Sequence, residues 1–489
     1  MRLGTFAVFS LSVLLLLPDT GSAQDGKQFV ADFIDEHTVQ FETVAQQIWN
    51  FAEVGYQEHQ SSELLQEELR EAGFSIESGV VGIPTAFVAS YGSGEPVIAI
   101  LAEFDALPGI SQTRSAVREI REEVNAGHAC GHHLFGAGST AAAVAVKEWM
   151  EENDIEGTIR LYGTPAEEGG AGKVYMVRGG LFDDVDVALH WHAGSGNAAN
   201  PSTSLSNKSA KFRFYGVSAH AAGAPWRGRS ALDGVEAMND MVNMMREHVE
   251  PETRIHYVIT SGGSAPNVIP DFAEVFYYVR HPDPEEVKSL FERVANAAQG
   301  AALGTGVEME YEVIHGLYAV LPNEPAQRAM YENLVRVGGV EYTADERAFA
   351  EQIHSTFPDD APSIDAAAQV EEYRFSRSGG STDVADVSWA VPTAGLRTAT
   401  WVPGTSAHSW QAIAAGGTSI GNKGMINAAK TIAMTAIDLF TTPELIAAAQ
   451  AEHAERVGPN FVYEPLLGDR DPPLDYRAPA SSVRSVTRR

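Results

Sequence analysis

Cysteine and positive charge are both scarce in this 489-residue chain. Cys130 is the only cysteine, so no disulfide can form within the chain and the thiol is free, reactive or bound to a metal. Basic side chains number 34 against 65 acidic ones, which gives a formal net charge of −31. Because a field of that sign repels nucleic acid and anionic lipid, we expect neither as a partner.

Long hydrophobic runs are confined to the N-terminus. Arg2 precedes an almost wholly apolar stretch over residues 6–17, and small Gly21 and Ala23 follow it, spaced like the residues before a cleavage site. This pattern predicts a secretory signal peptide over 1–23, and therefore a secreted or periplasmic protein. Beyond it, no segment reaches the roughly 18 apolar residues of a transmembrane helix, so we expect no membrane association after cleavage.

The remaining chain has enough apolar residues, 44% in all, for a large packed core. Short apolar strands, such as 97–102 and 157–162, alternate with helices, which favours an α/β fold with a mostly parallel sheet. Near residue 207 the pattern changes to β-α-β-β-α-β, the order of a ferredoxin-like domain. The predicted division is an α/β domain of 24–206 and 321–445, an inserted α+β domain of 207–320, and a C-terminal tail of 446–489, whose prolines predict an irregular chain from about residue 450.

The segment 126–133 places the only thiol among three histidines. Cys130 and His132 are two residues apart, so both can face one ion, and zinc accepts thiolate, imidazole and carboxylate ligands. Other polar residues follow the predicted strands, where α/β sheets gather their sites. These residues are Asp105, Glu167, Glu168 and His192.

Two adjacent carboxylates, Glu167 and Glu168, are suited to a hydrolytic metal site. Neighbouring side chains on a turning chain point in different directions, so one can bind a metal while the other acts as a general base toward water. His190 and His192 share one face of a strand, and a single one of them suffices as a ligand. His408 completes the set of candidate ligands.

Seven short motifs occur in one order along residues 30 to 445. They are 103–108, 128–132, 165–169, 186–192, 216–221, 267–270 and 407–410. Because of these motifs, the chain resembles the zinc aminoacylase/carboxypeptidase family of metallopeptidases. Within that family it is most similar to the amidohydrolase branch that contains the aminobenzoyl-glutamate hydrolases. The resemblance implies a two-metal amidohydrolase that cleaves small N-acyl or N-aroyl amino acids or dipeptide-like amides, with 207–320 as a lid and dimerisation domain.

The resemblance also implies a role for each matching residue. The two divalent ions, expected to be Zn, with Mn or Co also acceptable, would be bound by Cys130, His132, Glu168, His192 and His408. His192 is preferred to His190 because the family's histidine follows an aspartate by six residues, as His192 follows Asp186.

Further roles implied by the resemblance concern catalysis and substrate. Glu167 would be the general base and Asp105 would orient a ligand. His220 would reach the active site of a partner subunit and stabilise the oxyanion, which makes a homodimer the expected assembly and a related second subunit the other candidate partner. Asn267 and Arg280 would contact the substrate, and Arg280 would bind a substrate carboxylate or else form a surface ion pair.

Other interpretations of the same residues stay open. Cys130 could be a nucleophile paired with His128 or His132, or the chain could be a non-catalytic binding subunit with the same fold. His128 is expected to make a structural hydrogen bond. His133 stands where many relatives have Asp or Asn, so it is a candidate extra ligand, and 111–125 is a charged loop or short helix that could border the cleft.

Overall fold

The computed structural model describes residues 20–377 and 379–477, so most of the predicted signal peptide lies outside the described residues. The helices are α1 Thr20–Glu36, α2 Thr38–Phe51, α3 His59–Glu71, α4 His132–Glu152, α5 Gly172–Arg178, α6 Ala231–Met245, α7 Pro284–Thr305, α8 Glu324–Val337, α9 Ala344–His354, α10 Val384–Ala390, α11 Trp410–Gly416, α12 Ser419–Thr441 and α13 Pro443–Val457. The strands are β1 Ser75–Ser78, β2 Phe87–Ser93, β3 Val97–Ala102, β4 Leu107–Pro108, β5 Ala126–Gly127, β6 Gly157–Gly163, β7 Val187–Gly194, β8 Ser202–Thr203, β9 Ser206–Tyr215, β10 Arg254–Ser261, β11 Phe272–His281, β12 Glu308–Leu317, β13 Ser376–Arg377 and β14 Thr393–Ala399.

The α/β domain is built on a six-stranded sheet of order β1-β2-β6-β3-β7-β14. The four strands β6, β3, β7 and β14 run parallel, while β1 and β2 form an antiparallel edge. Every residue of β3 is buried, as expected for a continuous apolar run in a sheet covered on both faces. The predicted α/β class with a mostly parallel sheet is confirmed.

The inserted domain, called the lid below, runs from Ser206 to Leu317. Its antiparallel sheet has the order β10-β11-β9-β12, and helices α6 and α7 pack on one face. The alternation along β11 turns Ala273, Val275 and Tyr277 toward a core of the lid's own. The opposite face of β11 carries Glu274, Tyr278 and Arg280. The β-α-β-β-α-β order agrees with the ferredoxin-like prediction.

Two predictions of local structure need correction. Apolar residues at helical spacing predict a helical region from 25 to about 72, but the structure interrupts it between α2 and α3, where Ala52 and Tyr56 have positive φ angles. The tail, expected to be irregular from about residue 450, is instead helical to Val457 as part of α13, whose Ile446 and Ala449 are buried. The prolines that indicated an irregular chain start only at Pro459, beyond the end of that helix.

Helix α12 is the most apolar long helix, and most of its residues lie in the core. Within the described residues, no single helix has the length and apolar character needed to cross a bilayer. Only α12 and α13 taken together meet those criteria, and the chain bends by 98° between them.

Candidate metal centre

The candidate site residues meet at the carboxyl edge of the parallel strands. Asp105 follows β3, the Glu167–Glu168 pair follows β6, and His192 lies near the end of β7. Cys130 lies two residues before the start of helix α4, separated from it by the N-cap residue Gly131. A parallel sheet directs its strand ends to one edge, so loops that are distant in sequence become neighbours there.

The first group of possible ligands consists of Cys130, His132 and His192, whose donor atoms all lie within 4.8 Å of one another. The Cys130 Sγ is 3.4 Å from Nε2 of His192. The Nδ1 of His192 lies 2.7 Å from the carbonyl oxygen of Ala193, which accepts its proton. This bond fixes the tautomer and leaves Nε2 free to bind a metal.

A second group, Cys130, Glu168 and His408, meets the same distance criterion. The Nε2 of His408 is 3.2 Å from Oε1 of Glu168. His408 has a φ of 61°, and its backbone N–H donates to the carbonyl of Ala129 at 2.9 Å, which holds it beside Cys130. Cys130 belongs to both groups, and together the two groups would supply thiolate, imidazole and carboxylate donors for two divalent ions.

Gly131 allows the two halves of the first group to approach each other. Its φ is +78°, and a Cβ at this position would lie 2.3 Å from the Cβ of Ala193 on β7. Any larger residue would therefore separate the start of α4 from β7. The close approach is what places Cys130 next to His192.

Asp105 connects the two groups. Its Oδ1 is 2.9 Å from Nδ1 of His132, and its Oδ2 accepts the backbone N–H of Glu168 at 2.9 Å. The first contact directs Nε2 of His132 to the site, and the second holds the Glu167–Glu168 turn against the ligands. Asp105 therefore lies where a ligand-orienting carboxylate is needed.

A third group, Glu103, His132 and Glu167, shares His132 with the first. Oε1 of Glu103 is already 2.6 Å from Nζ of Lys173, which is also 2.7 Å from Oδ1 of Asp383. Oε2 of Glu103 lies 3.0 Å from Nε2 of His132. Because the lysine already neutralises Glu103, we assign His132 to the first group. This buried ion network was missed by the sequence analysis. A lysine within the mostly small and apolar run 171–177 is the signal that could have revealed it.

Glu167 stands beside both ligand groups without belonging to either. Its carboxylate lies within 4.8 Å of donor atoms of Glu103 and His132. Burial, together with the nearby carboxylates of Glu103 and Glu168, raises the pKa of Glu167 well above its usual value. An acid group that is close to the ligands and not used as one has the placement of a general base.

Three other histidines lie near the centre but face elsewhere. His190 fills the space beside Gly395, and burial lowers its pKa to about 3. The Nε2 of His128 is 3.0 Å from the carbonyl of Ile48, a structural hydrogen bond. His133 likewise makes a structural hydrogen bond, because its Nε2 is 3.0 Å from the carbonyl of Gly416. His133 joins neither ligand group, which corrects the expectation of an extra ligand.

The charged segment 111–125 forms an irregular loop without an α-helix. It is held on α2, where the guanidinium groups of Arg114 and Arg121 lie 3.9 and 4.6 Å from the ring centroid of Trp49. Arg114 also donates to the carbonyl of Gly417 at 2.7 Å. The arginines of this loop therefore contribute to packing.

His220, Asn267 and Arg280 all lie in the lid, outside both ligand groups. The Nδ1 of His220 accepts the backbone N–H groups of Ala222 and Gly223 at 3.2 and 3.1 Å. Its Nε2 therefore carries the proton and is available as a donor. Asn267 is adjacent, since its carbonyl accepts an N–H from the His220 loop. Arg280 lies over the ring of Tyr278, 5.2 Å from its centroid.

One more cluster of possible ligands, Glu250, Glu252 and His281, is found in the lid. The Nδ1 of His281 accepts the N–H of Asp283 at 3.0 Å. Its Nε2 must then carry the proton and cannot donate a lone pair to an ion. We therefore do not regard this cluster as a metal site.

A thiol, three imidazoles and a carboxylate at the edge of a parallel sheet, with an unligated glutamate beside them, define a metal-dependent hydrolase. The model of peptidase family M20/M25/M40 matches residues 99–412. The chain is 40% identical to one of the subunits of the p-aminobenzoyl-glutamate hydrolase of Escherichia coli K12, over 88% of this chain and 95% of that protein. It is 30% identical to the Xaa-Arg dipeptidase of Mus musculus, over 89% and 94% of the two chains.

Among solved structures, a dinuclear metal-binding peptidase of Bacillus subtilis shares the fold, with a TM-score of 0.57 at 18% identity, covering 83% of this chain and 99% of that one. The chain belongs to the M20/M25/M40 peptidase family. The predicted family and the predicted class of enzyme, a metal-dependent hydrolase of amide or peptide bonds, are thereby confirmed.

Proposed function

We propose that this protein is a two-zinc amidohydrolase that releases an amino acid from an N-aroyl or N-acyl amino acid, acting outside the cytoplasm. The observation that carries the proposal is the sharing of Cys130 between two ligand groups, with Glu167 beside them. Two relatives support the substrate class, since one is named for p-aminobenzoyl-glutamate and the other for Xaa-Arg dipeptides. Each of those names describes an amide bond to the nitrogen of an amino acid.

The residues of the chain divide the chemistry among them. Two divalent ions, when bound, acidify a water molecule and polarise the carbonyl of the amide. Glu167 accepts a proton from the attacking water and transfers it to the amide nitrogen as the C–N bond breaks. Asp105 keeps His132 in the ligand tautomer. The Nε2–H of His220 donates to the carbonyl oxygen as negative charge develops there.

The donor types favour zinc over harder ions. Thiolate and imidazole are soft or borderline ligands, whereas magnesium and calcium prefer oxygen. Burial raises the pKa of the Cys130 thiol, so a bound cation supplies the stabilisation that a thiolate needs. The same burial, and the use of His128 in a bond to Ile48, argue against Cys130 as a nucleophile.

A substrate comparison tests the proposal. We expect release of glutamate from N-(4-aminobenzoyl)glutamate at a rate that falls on chelation and recovers with added zinc. Arg280 has no carboxylate partner among the described residues. We therefore expect N-(4-aminobenzoyl)glutamate to be cleaved faster than N-(4-aminobenzoyl)glutaminamide, in which both carboxylates are replaced by amides. Turnover that resists chelation and is abolished by thiol alkylation would instead establish the cysteine mechanism.

An exposed edge of the lid sheet favours a homodimer. In such a dimer, His220 of one subunit would reach the active site of the other. Strand β10 is an edge of the lid sheet, and its Tyr257, Val258 and Ile259 are exposed. Unpaired backbone groups on an apolar edge favour pairing with another strand, and the same strand of a second copy gives a closed two-fold dimer. Because two different subunits of the Escherichia coli hydrolase are both relatives of this chain, a related second subunit is the alternative partner.

Mixing two inactive variants tests whether His220 acts between subunits. We expect His220→Ala and Glu167→Gln to be nearly inactive alone. When equal amounts are dissociated and reassociated, half of the dimers are hybrids, and each hybrid has one complete site. Activity should therefore return to about a quarter of the wild-type rate. No recovery, with hybrids shown to form, would contradict action of His220 in the partner's site.

A further inference from the structure

The chain returns to the metal centre after its last helix. The C-terminal strap, defined as residues 461–477, crosses the surface of the α/β domain. Near its middle, the guanidinium group of Arg178 donates to the carbonyls of Gly468 and Arg470 at 3.0 and 2.9 Å. Arg470 in turn donates to the carbonyl of Ile314 in the lid at 2.7 Å. The strap is therefore fixed to both domains before it reaches the site.

The end of the strap binds one backbone atom of the centre. The hydroxyl of Tyr476 and a guanidinium N–H of Arg477 both donate to the carbonyl oxygen of Glu168, at 3.1 and 3.0 Å. Asp105 holds the N–H of the same residue at 2.9 Å. Glu168 is thus held on both sides, by Asp105 toward the metal ligands and by the strap toward the surface.

The position of Tyr476 is closely specified. Its ring packs edge-on against Tyr56, with centroids 5.6 Å apart, and Gln57 donates to the carbonyl of Leu474 at 2.8 Å. A Cβ on Gly55 would lie 2.3 Å from the Tyr476 hydroxyl oxygen and 3.0 Å from the Cβ of Ala166, so the missing side chain at Gly55 leaves space for the hydroxyl beside the turn that precedes the two glutamates. A tail resting loosely on the surface would not require such a fit.

The turn that the strap contacts has an unfavourable backbone. Ala166, which precedes the two glutamates, has a φ of 60°, a conformation that costs a residue with a side chain about 1 kcal/mol. Its N–H is held by Oε1 of buried Glu58 at 2.9 Å. Turns of this kind persist only when their surroundings hold them. Glu58 holds the beginning of this turn and the strap holds its end.

Arg477 is not explained by charge pairing at the surface. Although acidic residues greatly outnumber basic ones, no carboxylate pairs with it within residues 20–377 and 379–477. Its guanidinium lies over the ring of Tyr476, 4.9 Å from the centroid, and donates to Glu168.

We propose that Tyr476 and Arg477 are positioning residues of the active site. By fixing the Glu168 carbonyl they set the direction of the Glu168 carboxylate toward the metal and of the Glu167 carboxylate toward the water. The catalytic part of this inference rests on the proposed function, whereas the part that concerns metal affinity does not.

The test uses point variants of the full chain. Tyr476→Phe removes the hydroxyl and keeps the ring, Arg477→Met removes the donors and keeps an apolar stem, and Arg477→Lys restores one donor. Asp475→Asn changes an exposed neighbour and serves as the matched control. Zinc affinity is measured by competition with a chromogenic chelator, and kcat and KM are measured at saturating zinc.

We expect the double variant Tyr476→Phe/Arg477→Met to lose about 10- to 100-fold in zinc affinity and in kcat, with KM changed less than about two-fold. Arg477→Lys should retain more of both than Arg477→Met, and Asp475→Asn should equal the wild type. Unchanged zinc affinity and kcat in the double variant would overturn the inference. So would an effect confined to KM, because that result would make the strap a substrate-binding element. If the wild type binds zinc and cleaves no amide, the proposed function fails and zinc affinity still decides this inference.

Discussion

Glu167→Gln is expected to lower kcat about 10³-fold and to leave the zinc content unchanged. The amide keeps the shape of the side chain but cannot accept a proton from water, and general-base catalysis typically contributes 10²- to 10⁴-fold. Glu167 is in neither of the two ligand groups to which Cys130 belongs, so the ions should remain. Steady-state kinetics and metal analysis of the same preparation measure both quantities.

The neighbouring carboxylate provides the matched control. Glu168→Gln makes the same chemical change one residue further on, at a residue of the second ligand group. This variant should bind zinc more weakly and recover part of its activity at high zinc concentration. A Glu167→Gln variant that regained activity on adding zinc would show that Glu167 is a ligand, and normal hydrolysis by it would show that it is not the base.

Lys173→Met should destabilise the metal-free protein by about 3–5 kcal/mol. Lys173 is completely buried, and its ammonium group lies between the carboxylates of Glu103 and Asp383, which are buried as well. Methionine fills a similar volume but leaves two like charges without a partner in a medium that solvates them poorly. Urea unfolding followed by circular dichroism measures the loss.

Two comparisons separate the charge effect from packing. Adding Asp383→Asn to Lys173→Met should recover part of the stability, because the second change removes one of the unpaired charges. Lys430→Met, which breaks the pair of Lys430 with the more exposed Asp35, should cost no more than about 1 kcal/mol. If Lys173→Met were as mild as Lys430→Met, the buried network would not have the structural role assigned to it.

The sequence was most informative where local pattern determines structure. The apolar run of β3 and the alternating residues of β9 predict their strands because burial on both faces and burial on one face leave different periodicities. The end of β3 then locates Asp105, because sites in parallel sheets follow strand ends. The choice of His192 over His190 came from the family motif, and the structure places His192 with Cys130.

The sequence does not predict the directions of individual side chains, nor the contacts between distant segments that no family motif includes. His132 and His133 are adjacent on α4, yet a helix turns successive residues about 100° apart, so His132 faces the site and His133 faces α11. The pairing of Lys173 with Asp383 joins residues 210 apart in the chain. Tyr476 reaches Glu168 across 308 residues, and no local pattern in a proline-containing tail predicts such a contact.

The most direct test of the two-metal centre is zinc titration of the metal-free protein, with hydrolysis of N-(4-aminobenzoyl)glutamate followed in the same samples. The structure predicts that about two zinc ions bind per chain and that activity returns as they bind. Full hydrolysis by protein shown to contain no metal would contradict this account. So would saturation at a single ion per chain with full activity, because Cys130 would then serve one ligand group and not two.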